Sequence, residues 1–313
     1  MIAFSRRAVR RAIALARPRD LVLVYHRVAE LEDDRWDLSV RPQHFAEHLA
    51  VLRRHAEPAS LGALAHERRP RGTRHRVALT FDDGYADNLT QAKPILTGAE
   101  VPVTIFITTG VVSAGREFWW DELMRLSTAA QMNRSPGIES DATSLDYDIL
   151  WGQLRDASPV ERENALDGLA ASAGIRRETR ESHRPLTAAE LTELVDGGLV
   201  EVGAHTVNHA RLASLDLPRQ RAEVVESAVW LEELLARPVR AFAYPFGRVG
   251  DYTDETVRVV REAGFAVACV NHPGAVGPRT DRLRLPRVSV RDWPGDEFER
   301  RLVGWLAGGL RTA

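Results

Sequence analysis

Short apolar runs rich in β-branched residues recur along the chain, and helical patterns separate them. They fall at 21–25, 77–81, 101–107, 199–203, 239–244, 265–270 and 285–290. Parallel neighbours cannot be joined by a tight hairpin. They need a crossover, usually a helix. The alternation therefore predicts an α/β protein with a mostly parallel sheet. About seven strands suit a closed or nearly closed barrel better than an open sheet.

The intervening helices are readable. Phe45, Leu49 and Leu52 share one face of a helix at 42–54. Thr187 with Glu190 makes a capping-box pattern at the head of a helix at 187–196. Val224, Ala228, Leu231 and Leu235 line a helix at 218–236, and Gly264 is placed to stop another at 254–263. Asp296 and Glu297 lead the last helix, at about 296–308. The stretch from about 121 to 185 lacks a convincing strand and has Leu150, Trp151 and Leu154 at helical spacing. It reads as a helical insertion on the barrel. The expected organisation is a basic N-terminal segment, 1–19, followed by one barrel domain, 20–313.

Composition excludes several classes. A formal net charge of −2 gives no global basic field for nucleic acid. Cys269 is the only cysteine, which rules out an internal disulfide and a cysteine-built zinc site. No apolar run follows the N-terminal arginines as a cleavable signal would require, and none approaches the roughly 18 residues of a membrane span. Residues 3–17 have the pattern of a basic amphipathic helix that can lie on an anionic membrane surface. A cytoplasmic location, with membrane association through that segment as an option, is the expectation.

Three motifs sit at predicted strand ends, the face on which such barrels carry their chemistry. In Leu79-Thr80-Phe81-Asp82-Asp83-Gly84 a strand runs into two adjacent carboxylates. Neighbouring acids point in different directions, so one can bind a cation while the other handles a proton. In Gly203-Ala204-His205-Thr206-Val207-Asn208-His209 the two histidines converge if the segment makes a helical turn. Two neutral imidazoles and one carboxylate form a common catalytic-zinc set with a position open for water. In Tyr244-Pro245-Phe246-Gly247, Pro245 fixes its φ and Gly247 relaxes the chain, which could aim the Phe246 N–H at an oxyanion. Trp119, Trp120 and Trp293 are candidate sugar platforms, with core packing the competing role for Trp119 or Trp120.

Together the motifs resemble the polysaccharide deacetylase family, the NodB-homology carbohydrate esterases of family four. The resemblance covers roughly 20–292 and implies a distorted (β/α) barrel that hydrolyses N-acetyl, less often O-acetyl, groups on sugars. By position it makes Asp82 the base, and Asp83, His205 and His209 the ligands of one divalent metal. Zinc is the simplest choice, with Fe, Co, Ni or Mn as others. It gives Thr206 a buttressing role, Phe246 the oxyanion amide, and Tyr244 a place near the substrate.

Two features depart from the family pattern. Ala243 stands where an arginine often orients the base, and Leu285-Pro286-Arg287 stands where a late Leu-x-His belongs. The branch resembling poly-N-acetylglucosamine deacetylases has its acid histidine at the N-terminal position, where this chain has His26 in Val24-Tyr25-His26-Arg27-Val28. That branch also favours Phe-Ala-Tyr-Pro. His272 is the alternative acid. The expected substrate is an N-acetylated glycan or lipid-linked sugar. A carbohydrate-binding pseudoenzyme and a metal amidohydrolase acting on a non-sugar amide are the competing readings.

Overall fold

Seven parallel strands carry the architecture: β1 (Asp20–Tyr25), β2 (Arg76–Phe81), β3 (Val103–Ile107), β4 (Val200–Ala204), β5 (Ala241–Ala243), β6 (Val267–Cys269) and β7 (Val288–Ser289). The computed structural model describes residues 19–66, 74–132 and 146–310. β1, β2 and β3 are buried along their whole length. Near-continuous apolar runs, not alternating ones, meet that requirement, because helices cover one face and the barrel interior covers the other.

The strand order is β7-β1-β2-β3-β4-β5-β6, with the short strand Glu57–Pro58 added beside β2. Every pairing along this path is parallel. The segment 285–290 joins the two ends. Leu285 bridges Cys269, accepting the Val270 N–H at 3.0 Å and donating to the Ala268 carbonyl at 2.8 Å. Three residues on, β7 pairs with β1. The result is the distorted (β/α) barrel that the sequence predicts.

The last three strands are shorter than their apolar runs. Val239, Tyr244, Phe265 and Val270 are buried yet lie outside the ladder. Burial, not pairing, sets the length of an apolar run. After Ala243 the ladder also meets Pro245, which has no N–H to offer.

Small side chains line the interior. Ala78, Ala241, Ala243 and Cys269 share a cluster with Val22, Phe106, Val267 and Leu285, on which Leu61 and Leu64 pack. Burial pushes the Cys269 thiol up to about 12, so it acts as an apolar filler. Gly203 is required here. A Cβ at that position would lie 2.5 Å from Phe106 Cδ1 and 2.8 Å from the Ala241 carbonyl oxygen. Gly203→Ala is expected to destabilise the protein by roughly 1–3 kcal/mol through overpacking. Urea unfolding measures this, and an unchanged midpoint would show that Phe106 yields freely.

The expected helices form at Pro42–His55, Ala188–Leu194, Leu217–Leu235, Asp254–Glu262 and Gly295–Leu306. The Thr187–Glu190 capping box is made in full. The insertion contributes Trp119–Met132, Tyr147–Arg155 and Pro159–Ala173, which share an apolar cluster containing Phe118, Leu123, Leu126, Leu154 and Leu166. Tyr85, just beyond β2, belongs to the same cluster, so the insertion is seated on the rim of the barrel. No helix among the described residues is long and apolar enough to cross a membrane. The segment 3–17 lies outside them.

Candidate active site

The strand C-terminal ends deliver the chemistry to one face. His26 follows β1, the Asp82-Asp83 pair follows β2, His205 follows β4 and Asn271 lies two residues beyond β6. These residues line an open cleft of about 220 Å³ together with His209 and Phe246. Trp36, Trp120, Trp151, Arg155, Arg248 and Arg291 form much of the remaining wall.

Asp83, His205 and His209 converge. Asp83 Oδ1 lies 3.6 Å from His205 Nε2 and 3.4 Å from His209 Nε2. One ligand atom from each residue falls within 4.8 Å of the others. Two donors held about 2 Å from one tetrahedral ion are separated by about 3.3 Å, so the spacing fits a cation. The chemistry of the donor set agrees. Asp83 Oδ1 is buried and has no hydrogen-bond partner. Burial, then the charges of Asp82 and Asp121, raise the Asp83 carboxyl well above its ordinary range against the pull of Arg27 and Arg287, and a cation bound at Oδ1 would relieve that cost. Burial keeps both imidazoles neutral, as ligands must be. His205 Nδ1 donates to the Ala243 carbonyl at 2.8 Å, which leaves the Nε2 lone pair facing Asp83. Ala243 thus fixes a tautomer through its backbone.

The histidines do not meet on a helical turn. The segment after β4 is an irregular bend, with Thr206 at φ 64° and His209 at φ 50°. Asp83 at φ 76° and Phe246 at φ 59° are also left-handed. Four non-glycine residues in this strained region, gathered round one cleft, mark a geometry imposed by its surroundings. Thr206 Oγ1 is buried without a hydrogen-bond partner, so the expected hydroxyl buttress is not formed. Glu223, from the helix Leu217–Leu235, holds the bend instead. It accepts the Val207 N–H at 2.9 Å, the Asn208 N–H at 2.8 Å and the Asn208 side-chain amide at 2.7 Å. Glu223→Gln turns an amide donor toward those donors. It is expected to weaken zinc binding by about tenfold or more, as losses of outer supports to a metal site do. Calorimetric titration of zinc checks this, and wild-type affinity would show that the bend holds itself.

Asp82 is held differently. Arg287 is fully inside the barrel and donates two parallel hydrogen bonds to its carboxylate, 2.6 Å to Oδ1 and 2.7 Å to Oδ2. The same guanidinium reaches Thr80 Oγ1 at 3.2 Å and the Val270 carbonyl at 3.2 Å. Burial opposes ionisation of Asp82, but the Arg287 guanidinium outweighs it and holds the carboxyl below its ordinary range. The orienting arginine missing at Ala243 is therefore supplied from the segment 285–290. In the sequence Leu285-Pro286-Arg287 is legible only as a departure from the family pattern, and nothing there singles out Glu223.

The other candidates divide. His26 is half-buried on the cleft wall, where burial pushes its imidazole down to about 4 against the pull of Asp82. The Phe246 ring packs edge-on to His209 at 4.8 Å between centroids. Trp120 also meets His209 edge-on, at 4.7 Å, and its indole N–H donates to Tyr85 Oη at 3.0 Å. Tyr244 turns away from the cleft, with its hydroxyl on the Leu283 carbonyl at 3.0 Å and its ring stacked on Tyr252. Trp293 lies outside the cleft lining too. It packs near Trp305 with Arg301 over its ring. Trp36 and Trp151 stand in the wall instead, with ring centroids 4.9 Å apart. His272 is outside the lining, and its carbonyl accepts the Arg287 N–H at 3.1 Å.

A strand-end cleft on a (β/α) barrel thus brings one buried carboxylate and two imidazoles close enough to hold a metal ion, with a second carboxylate beside them. A family model described as polysaccharide deacetylase matches residues 69–268, and the chain belongs to this family. The matched interval contains Asp82, Asp83, His205, His209 and Phe246, whereas His26 and Arg287 lie beyond it. YxkH of Bacillus subtilis (strain 168) is 24% identical over 136 residues, 44% of this chain and 46% of that protein. The matched stretch thus spans under half of that relative. Among solved structures, the Streptococcus pyogenes deacetylase PplD in complex with acetate superposes with a TM-score of 0.61 at 19% identity, covering 90% of this chain and 97% of that one. IcaB from Ammonifex degensii gives 0.60 at 20% identity, covering 93% and 98%. At these identities the likeness establishes the fold.

Proposed function

We propose that the protein is a metal-dependent carbohydrate N-deacetylase, which hydrolyses an acetamide to acetate and a free amino sugar. The observation that carries this reading is the division of labour between two adjacent acids. Asp83 faces two neutral imidazoles, while Asp82 is kept ionised by Arg287 and stays out of the donor set. Asp83, His205 and His209 would hold one divalent ion, most simply zinc. When bound, it supplies Lewis-acid polarisation of the acetamide carbonyl and makes water more acidic.

Asp82 then takes a proton from the attacking water as the C–O bond forms. Arg287 fixes both carboxylate oxygens, so the accepting lone pair is aimed rather than free to rotate. The Phe246 N–H is assigned to the developing oxyanion. Burial keeps His26 neutral near neutral pH. It must first gain a proton, the one Asp82 takes from water, and then delivers it to the nitrogen as the C–N bond breaks, without which an amide anion would have to leave. Trp120 and the Trp36–Trp151 pair offer apolar faces to the sugar. Tyr244 and Trp293 have no part in it.

The branch with an N-terminal acid histidine is the one this assignment follows. The substrate is an N-acetylated glycan or a sugar precursor. The competing reading, a binding protein without turnover, rests on the missing arginine and the missing late histidine. Arg287 supplies a guanidinium for the first, and His26 is the residue this proposal offers for the second.

The test is acetate release from N-acetylated oligosaccharides by the zinc-loaded protein, beside simple non-sugar amides. Removal of metal by a chelator is expected to stop release, and zinc to restore it. Turnover that survives chelation would sink the metal-dependent reading. Release from the simple amides alone would move the protein out of carbohydrate chemistry.

A further inference from the structure

Two arginines stand together in the wall of the cleft, and one of them is left over. Arg155, at the end of Tyr147–Arg155, and Arg248, on the turn after Phe246, both line the cleft. A single buried carboxylate organises them. Asp251 pairs through Oδ1 with the Arg155 guanidinium, and its Oδ2 accepts the Arg248 N–H at 3.0 Å. Gly247 at φ 65° and Gly250 at φ 93° bracket the turn that displays Arg248.

Charge does not balance at this wall. Arg211 shares Asp251 at 3.7 Å and also meets Asp156 at 3.2 Å. Among the described residues, Arg155, Arg211 and Arg248 therefore face two carboxylates. Arg291, also in the cleft lining, is paired with Asp37, and Arg287 with Asp82. The Arg248 side chain is exposed, and among the described residues its guanidinium has no carboxylate partner. A cation between Asp83, His205 and His209 would make the cleft more positive still. Neutral glycans gain nothing from such a field, and cationic products are repelled by it.

The position is informative. The Arg155 guanidinium lies 4.6 Å over the Phe246 ring, and the same ring meets His209 at 4.8 Å. The arginine wall is thus one aromatic ring away from the cluster of Asp83, His205 and His209. That separation is about the reach from an acetamido group to a substituent elsewhere on the same sugar.

We propose that Arg155 and Arg248 form an oxyanion subsite, so that the substrate is an N-acetylated sugar bearing a phosphate ester or a carboxylate. The inference rests on the deacetylase reading of the same cleft and narrows its substrate class. Guanidinium pairs suit both anions through parallel N–H donors. Arg248 supplies the uncompensated charge, Arg155 is presented by Asp251 and stacked on Phe246, and the metal cluster receives the acetamide.

The test compares N-acetylglucosamine 1-phosphate, N-acetylglucosaminuronic acid and the neutral methyl N-acetylglucosaminide on the zinc-loaded full chain. Binding is read by calorimetry and turnover by acetate release. At least one anionic sugar is expected to bind roughly tenfold more tightly than the neutral one, the worth of about 1.4 kcal/mol from one charge-assisted contact. Whichever anion is preferred identifies the source as phosphate or carboxylate. Added NaCl is expected to erode that preference. In Arg248→Gln the ratio of anionic to neutral affinity is expected to fall toward one, and in Arg248→Glu to invert. Equal wild-type affinity for all three sugars, or a ratio untouched by both variants, overturns the proposal. Absence of acetate from every sugar would instead count against the deacetylase reading, since the binding ratios are measured without turnover.

Discussion

Asp82→Asn is expected to cut acetate release by about a thousandfold while zinc still binds, because a positioned base contributes roughly 10²–10⁴ to such a step. A neutral amide cannot accept a proton from water, and position 82 lies outside the Asp83, His205 and His209 donor set. The variant also leaves Arg287 buried beside that amide in place of two charge-assisted hydrogen bonds. Thermal unfolding must therefore accompany the kinetics. A folded, zinc-loaded Asp82→Asn protein with wild-type turnover would remove Asp82 from the chemistry.

Arg287→Met is expected to be the more damaging change to stability, by about 3–5 kcal/mol, since it strands a carboxylate inside the barrel. Its effect on pH dependence follows from the direction of the Asp82 shift. With Arg287 present the folded carboxyl titrates below its ordinary value of 3.8, despite burial. The stabilisation from the pair is thus complete above that ordinary value and is lost as pH falls through the depressed folded one. The gap between wild type and variant, measured by urea unfolding, should be full near neutrality and narrow in acid. Without Arg287 only burial remains as the dominant influence, so the carboxyl moves up. The acid limb of the kcat/KM profile should then shift to higher pH, a change that a purely structural contact would not produce. Coincident acid limbs would show that Arg287 does not keep Asp82 ionised.

Much of the fold could be read from residue patterns because it depends on local signals. Continuous apolar runs such as 77–81 identify strands buried on both faces, and the Thr187–Glu190 box identifies a helix start. Strand-end placement alone puts Asp82, Asp83, His205 and His209 on one rim. What resisted reading was long-range or conformational. Arg287 meets Asp82 across 205 positions, and nothing near Ala243 announces where the guanidinium comes from. Glu223 looks like one more charged helix residue until its carboxylate is seen capping the bend at Val207 and Asn208. The spacing of His205 and His209 suggested a helical turn, but left-handed residues bring them together. Aromatic residues were the least legible. Tyr244 and Trp293 face packing, while Trp36 and Trp151 face the cleft, and a side chain's choice between two faces is made by its neighbours.

The closing segment has a temporal meaning as well as a spatial one. A ribosome releases β2 and its acids long before the stretch that carries Arg287, which pairs beside β1. During synthesis Asp82 must wait, solvated or protonated, until that stretch has emerged and the two ends of the sheet have met. Seating of β7 and arming of the carboxylate are then a single event, so, with Asp82 in its proposed role, a nascent protein that reaches only β6 is expected to be inactive.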